Sequence, residues 1–223
     1  MSVALERPAV TTAALEARAL AHRYGARLAL EPLDFSIEAP GRLAITGPNG
    51  SGKSTLLRIL AGLLRPSAGA TELRVGGDAI APAQRRQVIG FASPELAFYD
   101  ELTALENLTF AAEARGGGAA RQNALAALER VGLAARASDR IAALSSGMRQ
   151  RLRLAFAVMH RPAVLLLDEP GSHMDDDGRA VVARLVEDHG RGGLVVLATN
   201  DEREWRLAER RIQLRGRGLG DPA

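Results

Sequence analysis

The sequence predicts an α/β fold in which a strand-rich front and a βαβ back end surround a helical insert of about residues 94 to 160. Three observations predict it. A glycine-rich run, Gly47 to Thr55, stands between a short apolar strand and a helix with an apolar face. A continuous apolar run, Val164 to Leu167, has the pattern of a parallel strand buried on both faces, and it leads directly into Asp168 and Glu169. Between these two landmarks the chain changes from strand-like to helical patterning.

The elements follow in order. Leu15 to His22 alternates apolar and polar residues, as a half-buried strand does, and Leu28 to Ile37 continues in extended style around Pro32. Gly41 to Thr46 reads as a turn and a short buried strand, and Lys53 to Ala61 as a helix. Gly62 to Gly69 connects to a strand at Thr71 to Val75, which the Gly76-Gly77-Asp78 turn closes. Val88 to Ala92 is a further strand. Thr103 and Glu106 form a capping box that opens a helix to about Arg115, ended by Gly116 to Gly118. Ala119 to Val131 and Ser146 to His160 are helices, then Val164 to Leu167 a strand. Asp177 to Asp188 is a helix, Leu194 to Thr199 a strand, Glu202 to Glu209 a helix and Arg211 to Leu214 a final short strand. The tail from Gly216 is glycine-rich and is expected to fray.

Composition narrows the function classes. A length of 223 residues suits one domain, and 47% apolar residues can build a core of Leu, Val, Ile and Ala. Absence of cysteine excludes disulfides and cysteine metal sites. No apolar run approaches the roughly 20 residues of a membrane span, and the N-terminus lacks a signal-peptide pattern, so a cytoplasmic protein is the expectation. The net charge of +3 is small, and the arginine-rich Arg149 to Arg153 has no interleaved aromatics, so nucleic acid is not expected as a partner.

The chemistry is marked by one residue. Of 29 basic side chains only Lys53 is a lysine. An arginine-biased chain keeps lysine where a forked guanidinium cannot replace a compact ammonium inside a phosphate-wrapping loop. The run Gly47-Pro48-Asn49-Gly50-Ser51-Gly52-Lys53-Ser54-Thr55 fits the phosphate-binding pattern G-x-x-x-x-G-K-[ST] in its required strand–loop–helix context. Small residues let backbone N–H groups approach phosphates, and the helix N-terminus favours negative charge. Lys53 would neutralise the β- and γ-phosphates, and Ser54 would offer its hydroxyl to Mg²⁺. Asp168, at the C-terminal tip of a buried strand, stands where α/β sheets place ligands and would hold Mg²⁺. Glu169 would polarise the attacking water. Leu144-Ser145-Ser146-Gly147, ahead of a helix, makes a second anion-binding platform, although the same residues suit an ordinary N-cap.

Together these residues resemble the ATP-binding subunits of ABC transporters over essentially the whole chain. Gly47 to Thr55 matches the Walker A motif, Leu144 to Arg151 the signature region, Leu165 to Pro170 Walker B with its catalytic glutamate, and Ser172 to Asp175 the D-loop. Tyr24 resembles the aromatic that stacks on adenine, with a core tyrosine as the alternative. The resemblance implies a P-loop NTPase fold: a RecA-like core sheet (residues 1–93 and 161–215), an N-terminal antiparallel β subdomain, and an inserted helical signature subdomain. It implies ATP and Mg²⁺ as cofactors, and a head-to-tail homodimer or heterodimer. Each ATP would touch Walker A and B of one chain and Ser145, Ser146 and Gly147 of the other, with Asp175 at the same interface. A membrane-spanning transporter subunit would place the chain on the inner face of the cell membrane. The string Glu101 to Leu108 and the compact C-terminus look most like the haem-exporter ATPases of cytochrome c maturation. Leu96, Phe98 and Tyr99 are the residues expected to meet the membrane subunit, with packing of the helical insert as the alternative.

Three positions depart from the family pattern. Pro94 stands where a Mg²⁺-ligating glutamine belongs, with Ser93 or Glu95 as substitutes, and Met148 replaces a signature glutamine. Asn200 replaces the switch histidine; it can donate a hydrogen bond to the γ-phosphate but cannot carry a proton. A slow ATPase is one expectation. Ordinary turnover, a heterodimer with one active site, a non-transport ABC ATPase and a nucleotide-gated switch remain the alternatives.

Overall fold

The computed structural model describes residues 12–116 and 118–215, so Gly117 and the tail from Gly216 lie outside the described residues. Two sheets carry the fold. The first is antiparallel, in the order β2-β1-β4-β5, from β1 (Ala13–Tyr24), β2 (Arg27–Glu38), β4 (Ala68–Val75) and β5 (Asp78–Ala79). The second is parallel, in the order β6-β7-β8-β3-β9, from β3 (Gly41–Thr46), β6 (Ile89–Ala92), β7 (Val164–Asp168), β8 (Leu194–Ala198) and β9 (Arg210–Gln213).

The apolar run of β7 explains the layering. Side chains alternate across a strand, so Val164 and Leu166 enter one core while Leu165 and Leu167 enter another. The first core lies against α1 (Lys53–Leu60) and the antiparallel sheet, filled by Leu15, Leu20, Ile45, Leu56, Leu60 and Leu73. The second packs the helices α3 (Ala104–Ala114), α4 (Ala120–Arg130), α5 (Ser146–Val158) and α6 (Asp176–Gly190) through Leu108, Leu128, Leu154 and Val186. Neither sheet face meets water at β7, which is why no polar residue interrupts it before Asp168.

The expected elements are present, with shifts that have local causes. The capping box closes as expected: Glu106 N–H donates to Thr103 Oγ1 at 3.1 Å and Thr103 N–H to Glu106 Oε2 at 2.8 Å. Val88 belongs to a one-turn helix, α2 (Arg85–Val88), and the strand starts at Ile89. Buried Arg85 anchors that turn, donating to Leu60 O and to Thr71 Oγ1 and O, each at 2.9 Å. The expected helix 202–209 stops early: α7 covers only Glu202–Trp205. Beyond it Trp205 stacks under the Arg211 guanidinium at 4.4 Å. Glu209 turns to accept from the Arg42 backbone at 2.9 Å, so the chain leaves the helix to reach β9. β4 begins three residues before the expected Thr71 because Ala68 pairs with Ala21. Among the described residues no helix is long and apolar enough to cross a membrane.

Candidate functional site

The site gathers at the C-terminal ends of β3, β7 and β8, where a parallel sheet presents its strand tips. The glycine-rich loop leaves β3 at Thr46 and enters α1 at Lys53. Gly47 and Gly52 hold φ of 144° and 97°. At Gly52 a Cβ would collide with Ala29 O, and at Gly47 it would meet Leu214 O at 2.6 Å. Both glycines are therefore required by close backbone approach as well as by conformation. The loop is drawn around its lysine: Lys53, 7% exposed, donates through Nζ to Gly47 O at 2.7 Å.

That ammonium also lies 3.7 Å from Glu169 Oε1. Glu169 carries a positive φ of 46°, unusual for a residue with a side chain, and its N–H donates to Ala198 O at 2.8 Å. Burial pushes its carboxyl above the usual carboxylate range, opposed by Lys53. A raised carboxyl is a stronger base when ionised.

Asp168 ends β7 and is 3% exposed. Its Oδ1 has no hydrogen-bond partner among the described residues. Burial pushes this carboxyl up as well, opposed by the Ser54 hydroxyl and by Arg58 and Lys53. A buried carboxylate oxygen without a donor, beside a serine hydroxyl, is a donor set that a hard divalent cation satisfies. Among the described residues no group of three His, Cys, Asp or Glu could hold a metal alone. Ser54 and Asp168 thus fit a hard divalent cation such as Mg²⁺.

The cleft above these groups measures about 310 Å³ and is lined by Tyr24, Arg27, Ala29, Asn49, Gly50, Gly52, Lys53, Ser54, Thr55 and Glu169. Tyr24 is 45% exposed, so it is no core residue, and its ring stands edge-on to His22 at 4.6 Å. Asn200 Oδ1 accepts from Gly47 N–H at 3.2 Å, which fastens it to the first glycine of the loop. Its amide nitrogen is the end left to donate. Glu95 forms an ion pair with Arg58, and Ser93 Oγ accepts from Glu95 N–H at 3.3 Å.

Ser145, Ser146, Gly147 and Asp175 do not join this cleft. Ser145 caps α5, accepting from Met148 N–H at 3.2 Å, and is exposed like Ser146. Asp175 caps α6, accepting from Gly178 N–H at 2.8 Å. Pro48 and Ser51 shape the loop without lining the cleft, Ser51 N–H donating to Pro48 O at 3.1 Å.

Residues that sequence reasoning missed also gather here. Arg27 enters the cleft because it pairs with Tyr24 across the hairpin turn; the Gly25 turn after Tyr24 was its signal. Glu204, 6% exposed, is pushed up by burial, opposed by bonds from the Thr199 hydroxyl and Gly171 N–H. Gln150 and Arg153 on α5 bond backbone near Glu169 and Leu96. Gln150 falls within the signature region Leu144 to Arg151 but was assigned no role there, and nothing in the spacing of Glu204 and Arg153 marks them.

The family model described as ABC transporter matches residues 30–172. A cytochrome c biogenesis ATP-binding export protein of Cupriavidus pinatubonensis is 38% identical over 83% of this chain and 83% of its own length. An aliphatic sulfonates import ATP-binding protein of Pseudomonas aeruginosa is 40% identical over 85% of this chain and 67% of its own. A dimeric ATP-binding cassette in a post-hydrolysis state, bound to ADP and Pi, superposes with a TM-score of 0.80 at 27% identity, covering 90% of this chain and 94% of that one. The chain spans 60% to 83% of the lengths of the curated relatives it matches first.

Proposed function

This chain belongs to the ABC transporter family of ATP-binding proteins, and from that premise we propose that it binds and hydrolyses ATP to drive a membrane-spanning partner through closure of a dimer. One observation carries the reading: Lys53, Ser54, Glu169 and Tyr24 line one cleft, and beneath it the buried Asp168, whose Oδ1 has no partner among the described residues, lies beside Ser54.

Each residue takes a role its surroundings support. Tyr24 stacks on the base. The backbone N–H groups of the Gly47–Thr55 loop hold the phosphates, and Lys53 gives up Gly47 O to neutralise the β- and γ-oxygens. Ser54 and Asp168 would hold Mg²⁺, which would supply charge neutralisation at those oxygens. Glu169 accepts the hydrogen bond of the attacking water, its raised carboxyl favouring proton uptake. Asn200 donates to the γ-phosphate through its amide nitrogen. Because an amide carries no positive charge, Asn200 stabilises the transition state less than a histidine would, and turnover is slow. Asn200→His is expected to raise the rate of phosphate release; an unchanged rate contradicts this role.

Ser145, Ser146, Gly147 and Asp175 act from the opposite chain of the dimer. Ser145, Ser146 and Asp175 are exposed and Gly147 half-buried at helix N-termini outside the cleft, which supports their availability to a second copy's nucleotide. The membrane-facing contact is an aromatic patch of Tyr99 and Phe110, 57% and 52% exposed and edge-to-face at 5.8 Å. Phe98, also expected at this contact, is half-buried and packs on Phe156 at the edge of the helical core. Such a subunit is peripheral on the cytoplasmic face of the membrane. Export is the direction we favour, supported by the resemblance to haem-exporter ATPases; a relative named for import shares comparable identity.

The reading is tested by light scattering on Glu169→Gln with and without ATP and Mg²⁺. ATP-dependent conversion of monomer to dimer is expected. A chain that binds ATP and stays monomeric overturns the closure mechanism.

A further inference from the structure

The backbone that aims Glu169 is held from α5. Gln150 is 3% exposed and donates through Nε2 to two consecutive carbonyls, Glu169 O at 3.3 Å and Pro170 O at 3.2 Å. Its own carbonyl accepts from Arg153 NH1 at 3.0 Å. Arg153, one turn along the same face of the helix, donates through Nε to Leu96 O at 3.0 Å. Four hydrogen bonds therefore run without a break from the loop after β6 to the peptide that carries the candidate base.

Both ends of this chain of bonds are places where a push would register. At the far end Glu169 sits at φ 46°, a conformation that persists only when its surroundings impose it. At the near end the loop is tied to α1 by the Glu95–Arg58 ion pair and to two further helices. Asn107, buried on α3, accepts from Tyr99 N–H at 2.9 Å and donates to Tyr99 O at 3.1 Å. Arg153 holds Leu96. Between β6 and those ties stands Pro94, which has no N–H and no polar side chain with which to reach the site. The exposed Tyr99 follows three residues after Leu96.

We propose that Arg153 and Gln150 are positioning residues that link the loop after β6 to the backbone of Glu169, so that displacement of that loop re-aims the base. The connection that a side chain at residue 94 cannot make is made from the helix instead. This inference rests on the reading of Glu169 as the base and of Tyr99 as part of the partner contact. Arginine is required because one planar fork makes both bonds at once; a lysine ammonium on its flexible stem does not hold that geometry.

Arg153 touches neither Glu169 nor the nucleotide cleft, so its effect there must travel through Gln150. The test uses the full chain with Arg153→Met, which keeps much of the stem's packing, Arg153→Lys, Gln150→Ala and the Arg153→Met/Gln150→Ala double variant. Amide exchange at Glu169 and Ser172 is measured together with kcat, KM for ATP and the melting temperature. Arg153→Met is expected to speed exchange at those two amides about tenfold. It should also lower kcat about tenfold, leaving KM within about twofold. Arg153→Lys should fail to rescue, and the double variant should be no worse than Gln150→Ala alone, because the two residues act in series.

Unchanged exchange at Glu169 and Ser172 in folded Arg153→Met overturns the proposal, as do effects that add in the double variant. A lowered melting temperature with unchanged kcat identifies Arg153 as a structural tie only, which also overturns it. If Glu169→Gln hydrolyses ATP like the parent chain, the assignment of the base fails, and the exchange data alone then decide whether the link exists.

Discussion

His160 offers a quantitative test of the packing between the helical segment and the parallel sheet. It follows α5, with Nδ1 2.6 Å from Arg115 NH1 and Nε2 3.1 Å from Ile89 O. A guanidinium can only donate and a carbonyl can only accept, so the ring is neutral with its proton on Nε2. A second proton would put an N–H against Arg115. Burial, and next the Arg115 charge, lower its pKa from 6.5 to about 4. The unfolded chain therefore takes up a proton below 6.5 that the folded chain refuses until about 4. The stabilisation is present at neutral pH and lost as pH falls through that window. At 1.36 kcal/mol per unit the full effect is about 3 kcal/mol, of which about 2 kcal/mol is lost between about pH 7 and about pH 4.5. His160→Gln keeps one acceptor for Arg115 and one donor for Ile89 O but does not titrate. Urea unfolding at both pH values should show the parent chain losing about 2 kcal/mol more than the variant. Equal losses would refute the neutral, buried assignment.

Two further outcomes follow from the site. Because burial raises the Glu169 carboxyl and the base must be ionised, turnover should climb with pH along an acid limb lying above the ordinary carboxylate range, read from kcat against pH; a limb at the ordinary carboxylate value contradicts this role. Gly52→Ala forces a Cβ into Ala29 O at a φ of 97°, so it should cost about 2 kcal/mol in chemical unfolding and weaken ATP binding measured by calorimetry; a variant like the parent in both would contradict the loop's geometry.

What could be read from the sequence and what could not divide along a physical line. Val164 to Asp168 was legible because a strand buried on both faces admits no polar residue until its tip, and Gly47 to Thr55 because close backbone approach and positive φ demand glycine at Gly47 and Gly52 around Lys53. The Thr103–Glu106 box was legible because both its bonds are local. The helix expected to run to Glu209 was cut at Trp205 by contacts with Arg42 and Arg211, partners distant in sequence or in another element. The orientation of Asn200 followed the same logic: its type predicted a donor, while its carbonyl is engaged by Gly47 N–H across β3 and β8. Arg153 and Gln150 looked like part of a basic stretch, because their function depends on Leu96 and Pro170, which only the folded chain brings near. The half-buried packing of Phe98 was not legible because a short loop has no periodicity to assign its faces.

The central claim is that Lys53, Asp168 and Glu169 form a working ATPase despite Pro94 and Asn200. Phosphate release from ATP and Mg²⁺ by the purified chain, beside Lys53→Ala and Glu169→Gln, tests it most directly. Slow release that both substitutions abolish is the predicted result. Release that survives Glu169→Gln, or none above the two variants, would contradict it.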